Sequence, residues 1–163
     1  MNATQIGELA VRRSIEIDAT PERVWEEFAS AERFRLWYTT EGGVDMPCYQ
    51  MNYEPHVGGA FETEVNHDDV HYSFGGKVLV YDPPNELTVE MGPIEFPGVS
   101  AVSMLTFRLA ETPAGGTRVE IIHHAFERFG DAAQEAYDAF EGGWKLDQLV
   151  ALKSLVEKGK AAG

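Results

Sequence analysis

DAAQEAYDAFEGGWKLDQLVALKSLVEK, residues 131–158, has the pattern of one long helix. Asp131 is a good N-cap type, and Gln134 three residues on completes a capping-box spacing. Ala133, Tyr137, Phe140 and Trp144 recur at three- and four-residue intervals, so they share one face. Beyond Gly142-Gly143 the stripe continues as Leu149, Leu152, Leu155 and Val156, rotated about the axis. Glycine inside a helix costs about 1 kcal/mol against alanine, so the pair marks an expected bend. Acids crowd the first half, and Lys153 and Lys158 come late, which suits the helix dipole. Unbroken, the helix would span roughly 40 Å at 1.5 Å per residue. Its aromatic stripe needs a large apolar partner, and the strands upstream must supply it.

Those strands are legible from alternation. Val11, Arg13, Ile15 and Ile17 alternate with Arg12, Ser14, Glu16 and Asp18, a first strand with one buried face. Thr20-Pro21 then starts a short helix with Val24, Trp25 and Phe28 on its apolar side. A second short helix is expected from Ala31 to about Trp37, carrying Phe34 and Leu36. Six more strands follow, around Tyr49–Tyr53, Phe61–Val65, Tyr72–Tyr81, Leu87–Met91, Val102–Leu109 and Thr117–His124. Gly75-Gly76 suggests a bulge or sharp bend. Asp82-Pro83-Pro84-Asn85 and Pro113-Ala114-Gly115-Gly116 are turns, and Gly92–Gly98, with two prolines, is expected to be a loop. Consecutive strands on short turns predict an antiparallel meander wrapped on the long helix. The Gly-Gly pairs have no fixed period, which argues against a repeat architecture.

Composition narrows the function classes. The chain has 163 residues, which the length prior takes as a single domain over 1–163. Lys+Arg is 13 and Asp+Glu 27, a net charge of -14. Such a surface repels phosphate backbones and anionic lipid, so neither nucleic acid nor a membrane is the expected partner. A single cysteine, Cys48, excludes an internal disulfide and fits a reducing compartment. No apolar run approaches a membrane span, and Met1–Ala10 lacks the pattern of a signal peptide. A cytoplasmic protein, monomeric or homodimeric, is the expectation.

Several segments in order resemble a known family. Ile15–Trp25 (IEIDATPERVW) looks like its opening strand and helix, and Trp37 sits where its second helix usually ends in tryptophan. Val57-Gly58-Gly59-Ala60-Phe61 resembles its turn into the third strand, although His56 stands where arginine is common. Gly76–Leu87 (GKVLVYDPPNEL), Gly115–Val119 (GGTRV) and Gly143-Trp144 with Leu149 and Leu152 complete the likeness. Together they resemble the activator of Hsp90 ATPase homologue 1-like domain of the START/Bet v 1-like superfamily. The resemblance implies an α+β helix-grip fold: a curved antiparallel sheet of about seven strands, two short helices after the first strand, and a long C-terminal helix. It also implies a deep cavity between sheet and helix. It does not imply one reaction, because members include ligand carriers, aromatase/cyclase-like enzymes and co-chaperone domains. A chaperone partner, and with it a stress-response role, rests on this resemblance alone.

The candidate ligand-binding residues are Trp37, Tyr53, Phe61, Phe74, Phe107, His123, Tyr137, Phe140 and Trp144. Aromatic side chains bury large areas and suit flat apolar ligands, though each fits a plain core equally well. His123 alternates with Val119 and Ile121, so it points inward, as a ligand-orienting or acid–base group or as a satisfied structural histidine. His124 is then on the other face. Arg13 lies on the apolar face of the first strand and needs an acid partner or a ligand anion, unless the strand end frays into water. His67-Asp68-Asp69-Val70-His71 is metal-like in composition, but a polar turn explains it, and two histidines four apart suit a helix. Cys48 has no base near it in sequence. No phosphate loop, nucleophile elbow or zinc-protease signature occurs, so no cofactor or metal is expected. The reading is a binder of a small apolar or aromatic molecule. The alternatives are an enzyme using the same cavity for cyclisation, dehydration or hydrolysis, and a chaperone-interacting module.

Overall fold

The computed structural model describes residues 6–38, 40–41, 44–45, 50–67, 70–96, 98–143 and 146–162. β1 (Val11–Ile17) alternates as expected, with Val11 and Ile17 buried and Arg12, Ser14 and Glu16 exposed. α1 (Pro21–Trp25) starts where Thr20 Oγ1 accepts the Arg23 N–H at 3.2 Å, with Pro21 supplying a preset φ. A 3₁₀ turn, Glu26–Phe28, leads to α2 (Ala31–Tyr38), whose first turn is capped by Ser30 Oγ on the Arg33 N–H.

β2 (Thr40–Glu41) and β3 (Val44–Asp45) make a small separate ladder that alternation did not signal. The meander follows as β4 (Gln50–Tyr53), β5 (Ala60–His67), β6 (Val70–Asp82), β7 (Glu86–Phe96), β8 (Val99–Glu111) and β9 (Thr117–His124). β1 joins it at β9, giving the antiparallel order β1-β9-β8-β7-β6-β5-β4. Register puts Arg13, Ile121, Phe107 and Leu87 in one row across four strands, and Ile15, Val119 and Leu109 in the next. These rows are the concave face. The first and last rows of β1 lie at opposite ends of it.

Three expectations need correction. Residues 131–158 are not one helix. A 3₁₀ segment, Phe126–Ala132, kinked at Gly130, takes in Asp131; α3 (Ala133–Gly143) stops on the glycine pair, and α4 (Asp147–Ala162) starts afresh. Gln134 Nε2 donates forward to Asp138 Oδ1 at 2.9 Å. Two consecutive glycines give a further turn no side-chain support and a large entropy cost. The two apolar stripes share β1 but otherwise differ in partner: α3 packs on the 3₁₀ segment and α4 on α2. A single straight helix could not bury both.

The expected loop over Gly92–Gly98 is largely strand. Pairing breaks between Met91 and Ile94 and resumes as Ile94 opposite Ala101, Glu95 opposite Ser100 and Phe96 opposite Val99. A proline, which has no N–H to give, is tolerated at such a bulge, and Gly92 supplies a φ of 145°. Of the bulge or bend expected at Gly75-Gly76, the bulge lies instead between Val78 and Val80, beside the exposed Leu79. Gly75 answers a different need. Its φ is 140°, and a Cβ there would run into the Phe61 carbonyl of β5. Among the described residues, no helix is long and apolar enough to cross a membrane.

The core divides in two. At one end of the concave face, α1, α2 and α4 bury Val24, Trp25, Phe28, Phe34, Trp37, Leu149, Leu152 and Val156 against Phe61, Leu87, Leu105, Phe107 and Ile121. At the other end, Phe126, Phe129 and Ala136 pack with Val11, and partly buried Leu9, Ile94, Ala101, Tyr137 and Phe140 close around them.

Candidate functional site

The nine candidate residues do not form one ring of side chains. Trp37, Tyr53, Phe61 and Phe107 share the α4 end, all 5% exposed or less. Phe34 is their hub: its ring centroid lies 4.7 Å from Trp37, 5.2 Å from Tyr53, 5.6 Å from Phe61 and 5.5 Å from Phe107. All four contacts are tilted or edge-on, the arrangement that the ring quadrupoles favour. The polar atoms are used too. Trp37 Nε1 donates to the Glu27 carbonyl at 3.1 Å and the Tyr53 hydroxyl to the Phe28 carbonyl at 2.7 Å. Burial, with Tyr81 adding, pushes the Tyr53 phenol up. The first bond ties the 3₁₀ turn to α2 and the second ties it to the sheet.

His123, Tyr137 and Phe140 share the other end. The His123 ring lies 4.5 Å from Phe140 and 4.9 Å from Phe126, centroid to centroid. Its Nε2 is 2.6 Å from Ser103 Oγ, and Ser103 Oγ donates its one proton to the Met91 carbonyl at 3.2 Å. His123 Nε2 must therefore carry the hydrogen of the first bond. His123 is fully buried, and burial, with His124 beside it, holds its pKa down to about 3. The imidazole is neutral at any ordinary working pH. Phe74 stands opposite Thr63 in the β5–β6 ladder; Trp144 lies outside the described residues.

Arg13 finds the acid partner that its position demanded. Its Nη2 reaches Glu141 Oε1 at 3.1 Å and the Glu141 carbonyl at 3.0 Å, tying β1 to α3. His124 faces away from His123, as alternation requires, yet it too is buried, at 1% exposure. On this outer face Thr88 Oγ1 donates to Glu86 Oε2 at 3.0 Å, and Arg108 Nε to Glu86 Oε1 at 3.0 Å. Thr88 then accepts from Thr106 Oγ1 at 2.9 Å, and Thr106 accepts from His124 Nε2 at 2.8 Å. A one-way row of donors thus crosses three strands. Long neighbours on the pleated face, among them Arg12, Met104 and Arg108, shelter it. Burial dominates the lowering of His124 to about 4, with Glu127 and Glu86 opposing it and Arg108 and Arg12 adding to it.

Sequence reasoning missed two features. Ser103 stands at an inward position of β8, in phase with Leu105 and Phe107, and that phase was a usable signal. Glu27 was not foreseeable: its carboxylate is fully buried between Arg23 Nη1 at 3.6 Å and Arg33 Nε at 3.2 Å. Elsewhere, an open cleft of about 200 Å³ lies between Glu16–Asp18, Thr112–Gly116 and Lys153. Lys153 Nζ donates there to the Glu16 carbonyl at 2.9 Å and to Glu157 Oε2 at 2.7 Å, and holds the Glu157 carboxyl below its usual range. Among the described residues, no three His, Cys, Asp or Glu side chains converge as a metal site. Cys48 and residues 68 and 69 of the His67–His71 turn lie outside the described residues.

The family model described as activator of Hsp90 ATPase homolog 1-like protein matches residues 18–157. No curated protein matches the chain. Among solved structures, a Mesorhizobium loti protein is 20% identical, with a TM-score of 0.65 over 91% of this chain and 97% of that one. A Chromobacterium violaceum protein is 24% identical, with a TM-score of 0.60 over the same shares, 91% and 97%. A Nitrosomonas europaea protein is 14% identical, with a TM-score of 0.68 over 96% and 99%. At these identities the likeness is one of fold, the helix grip, an architecture that in general supports ligand binding.

Proposed function

This chain belongs to the activator of Hsp90 ATPase homolog 1-like family, and on that premise we propose that it is a single-domain, cytosolic binder of a small apolar or aromatic molecule. The molecule sits between the concave face and its helical cover. Trp37, Tyr53, Phe61 and Phe107 back the site from the sheet and α2, and Tyr137 and Phe140 belong to its cover at the other end. His123 is the polar mark at the far end. The observation that carries this reading is the His123–Ser103 pair: neutral, buried and hydrogen-bonded, against the aromatic rings of Phe126 and Phe140. An apolar enclosure with a few fixed polar groups is the usual make-up of a small-molecule site. Tyr137 and Phe140 are only partly buried, so that cluster has apolar surface left to cover.

The same pair favours binding over catalysis. A general acid or base works best with a pKa near the working pH. His123 lies far below that, and its Nε2 proton is committed to Ser103. A chaperone partner draws its support from the family's description alone.

Native mass spectrometry of the freshly purified protein tests the proposal, together with thermal melts in the presence of an anilinonaphthalene dye. A co-purifying small molecule, or a dye-dependent rise in Tm that Phe140→Ala weakens, is the expected result. No bound mass and no shift at saturating dye would overturn it.

A further inference from the structure

We propose that the adjacent pair His123–His124 is an acid trigger for the cover made by the Phe126–Ala132 segment and α3: proton uptake by the pair frees this cover from the sheet while the α4 end stays folded. The argument starts from position. The two histidines are the last residues of β9, and the cover begins immediately after them. Between them and the cover stands Ala125, a non-glycine residue with a φ of 70°, which turns the chain so that Phe126 returns onto His123. Such backbone persists only where the surrounding packing holds it.

Chemistry comes next. Both imidazoles are fully buried, one on each face of the same strand, so two added charges would be adjacent and unsolvated. Each already donates from Nε2 to a β8 hydroxyl whose own proton is committed, Ser103 to Met91 and Thr106 to Thr88. An added proton must therefore go to the other ring nitrogen. The charged groups around His124 are Arg12 from β1, Glu86 from β7, Arg108 from β8 and Glu127 from the 3₁₀ segment, two of each sign. Around His123 the His124 charge adds to the effect of burial, beside the rings of Phe126 and Phe140.

Attachment decides which part lets go. The cover is held by a cluster of a few fully buried residues with Val11, and by the half-exposed Arg13–Glu141 bridge. The α4 end has a far larger buried cluster. Regions with less buried apolar surface open at lower free energy. The direction in pH follows from both groups being lowered on folding. Their contribution is present above the ordinary imidazole value of 6.5 and is lost as the pH falls toward about 4 for His124 and about 3 for His123.

The trigger would regulate the ligand site proposed above, but opening is read on the protein alone, so failure of the ligand reading leaves this result standing. Hydrogen exchange of the full chain is compared at pH 7.5 and pH 5, corrected for the intrinsic pH dependence of exchange. Amides of residues 123–143 should lose protection by about tenfold or more, with those of α4 and central β8 little changed. His123→Gln/His124→Gln, which keeps a donor to each hydroxyl without the titration, should abolish the difference. Simultaneous loss at both ends, or an unchanged response in that variant, overturns the proposal. Should the variant fold poorly, an NMR titration of the unmutated protein decides. Imidazolium signals that appear together with α3 opening support the trigger, and imidazolium signals in a still-protected α3 overturn it.

Discussion

The two ends of the concave face are built on opposite plans. At the α4 end, rings meet rings: Phe28, Phe34, Trp37 and Phe107 are fully buried, and the Trp37 and Tyr53 polar atoms are spent on backbone carbonyls. At the α3 end, fewer apolar groups are fully buried, and a histidine, a serine and an arginine take part in the closure. Dispersion and burial have no preferred direction, whereas hydrogen bonds depend on the state of each partner. The first end is thus a scaffold. The second is a closure whose strength depends on conditions.

Substitution can break this contrast. Phe34→Ala removes the hub of the aromatic end and should cost about 3–5 kcal/mol in urea melts. Phe140→Ala, at a partly buried position of the other end, should cost well under that; equal losses would mean that the two ends do not differ. Ser103→Ala leaves the buried His123 Nε2–H without its acceptor and should cost about 1–3 kcal/mol, read as a lower midpoint at unchanged m-value. Ala125→Gly goes the other way. A left-handed backbone costs a non-glycine residue about 1–2 kcal/mol, and the extra freedom of glycine in the unfolded chain returns about 0.5–1 kcal/mol of that. A net gain of roughly 0.5 kcal/mol in the same melts would sharpen the picture of a strained corner, and a loss would remove it.

How much of this was legible varied with the kind of signal. β1, the Thr20-Pro21 helix start and β9 follow from alternation and capping chemistry, and the structure has them at the expected residues. Arg13 drew attention because a cation stood on an apolar face, and Glu141 answers it. The division of 131–158 was only half visible. Gly142-Gly143 and the rotated stripe pointed to a bend, but a break needs knowledge of the two separate partners. β7 continues past Gly92-Pro93 because β8 offers it a ladder, which no local rule sees. Glu27 stayed hidden, since a glutamate between two helical turns is ordinarily solvated: Arg23 is its i,i+4 neighbour, but Arg33 meets it only after α2 packs. Of the candidate site, the inward phase of His123 was legible. That Trp37 and Tyr53 belong with Phe61, and Tyr137 with Phe126, is a matter of tertiary packing.

The place of β1 in the sheet has a consequence for how the chain folds. Each hairpin from β4 to β9 joins neighbours in sequence, so its closure is local and fast. β1 pairs with β9 instead, Val11 opposite His123, and that ladder closes a loop running through nearly the whole meander. Loop-closure entropy grows only slowly, by about 0.6 kcal/mol per doubling of length, so the cost in stability is small. The cost in order of events is larger. On a ribosome β1 emerges first and waits without a partner until β9 has been made. α4, which packs on β1, is made after β9 and joins last. The pairing that seats the last helix is the most non-local in the sheet, and in two-state folders such contacts set the slow step.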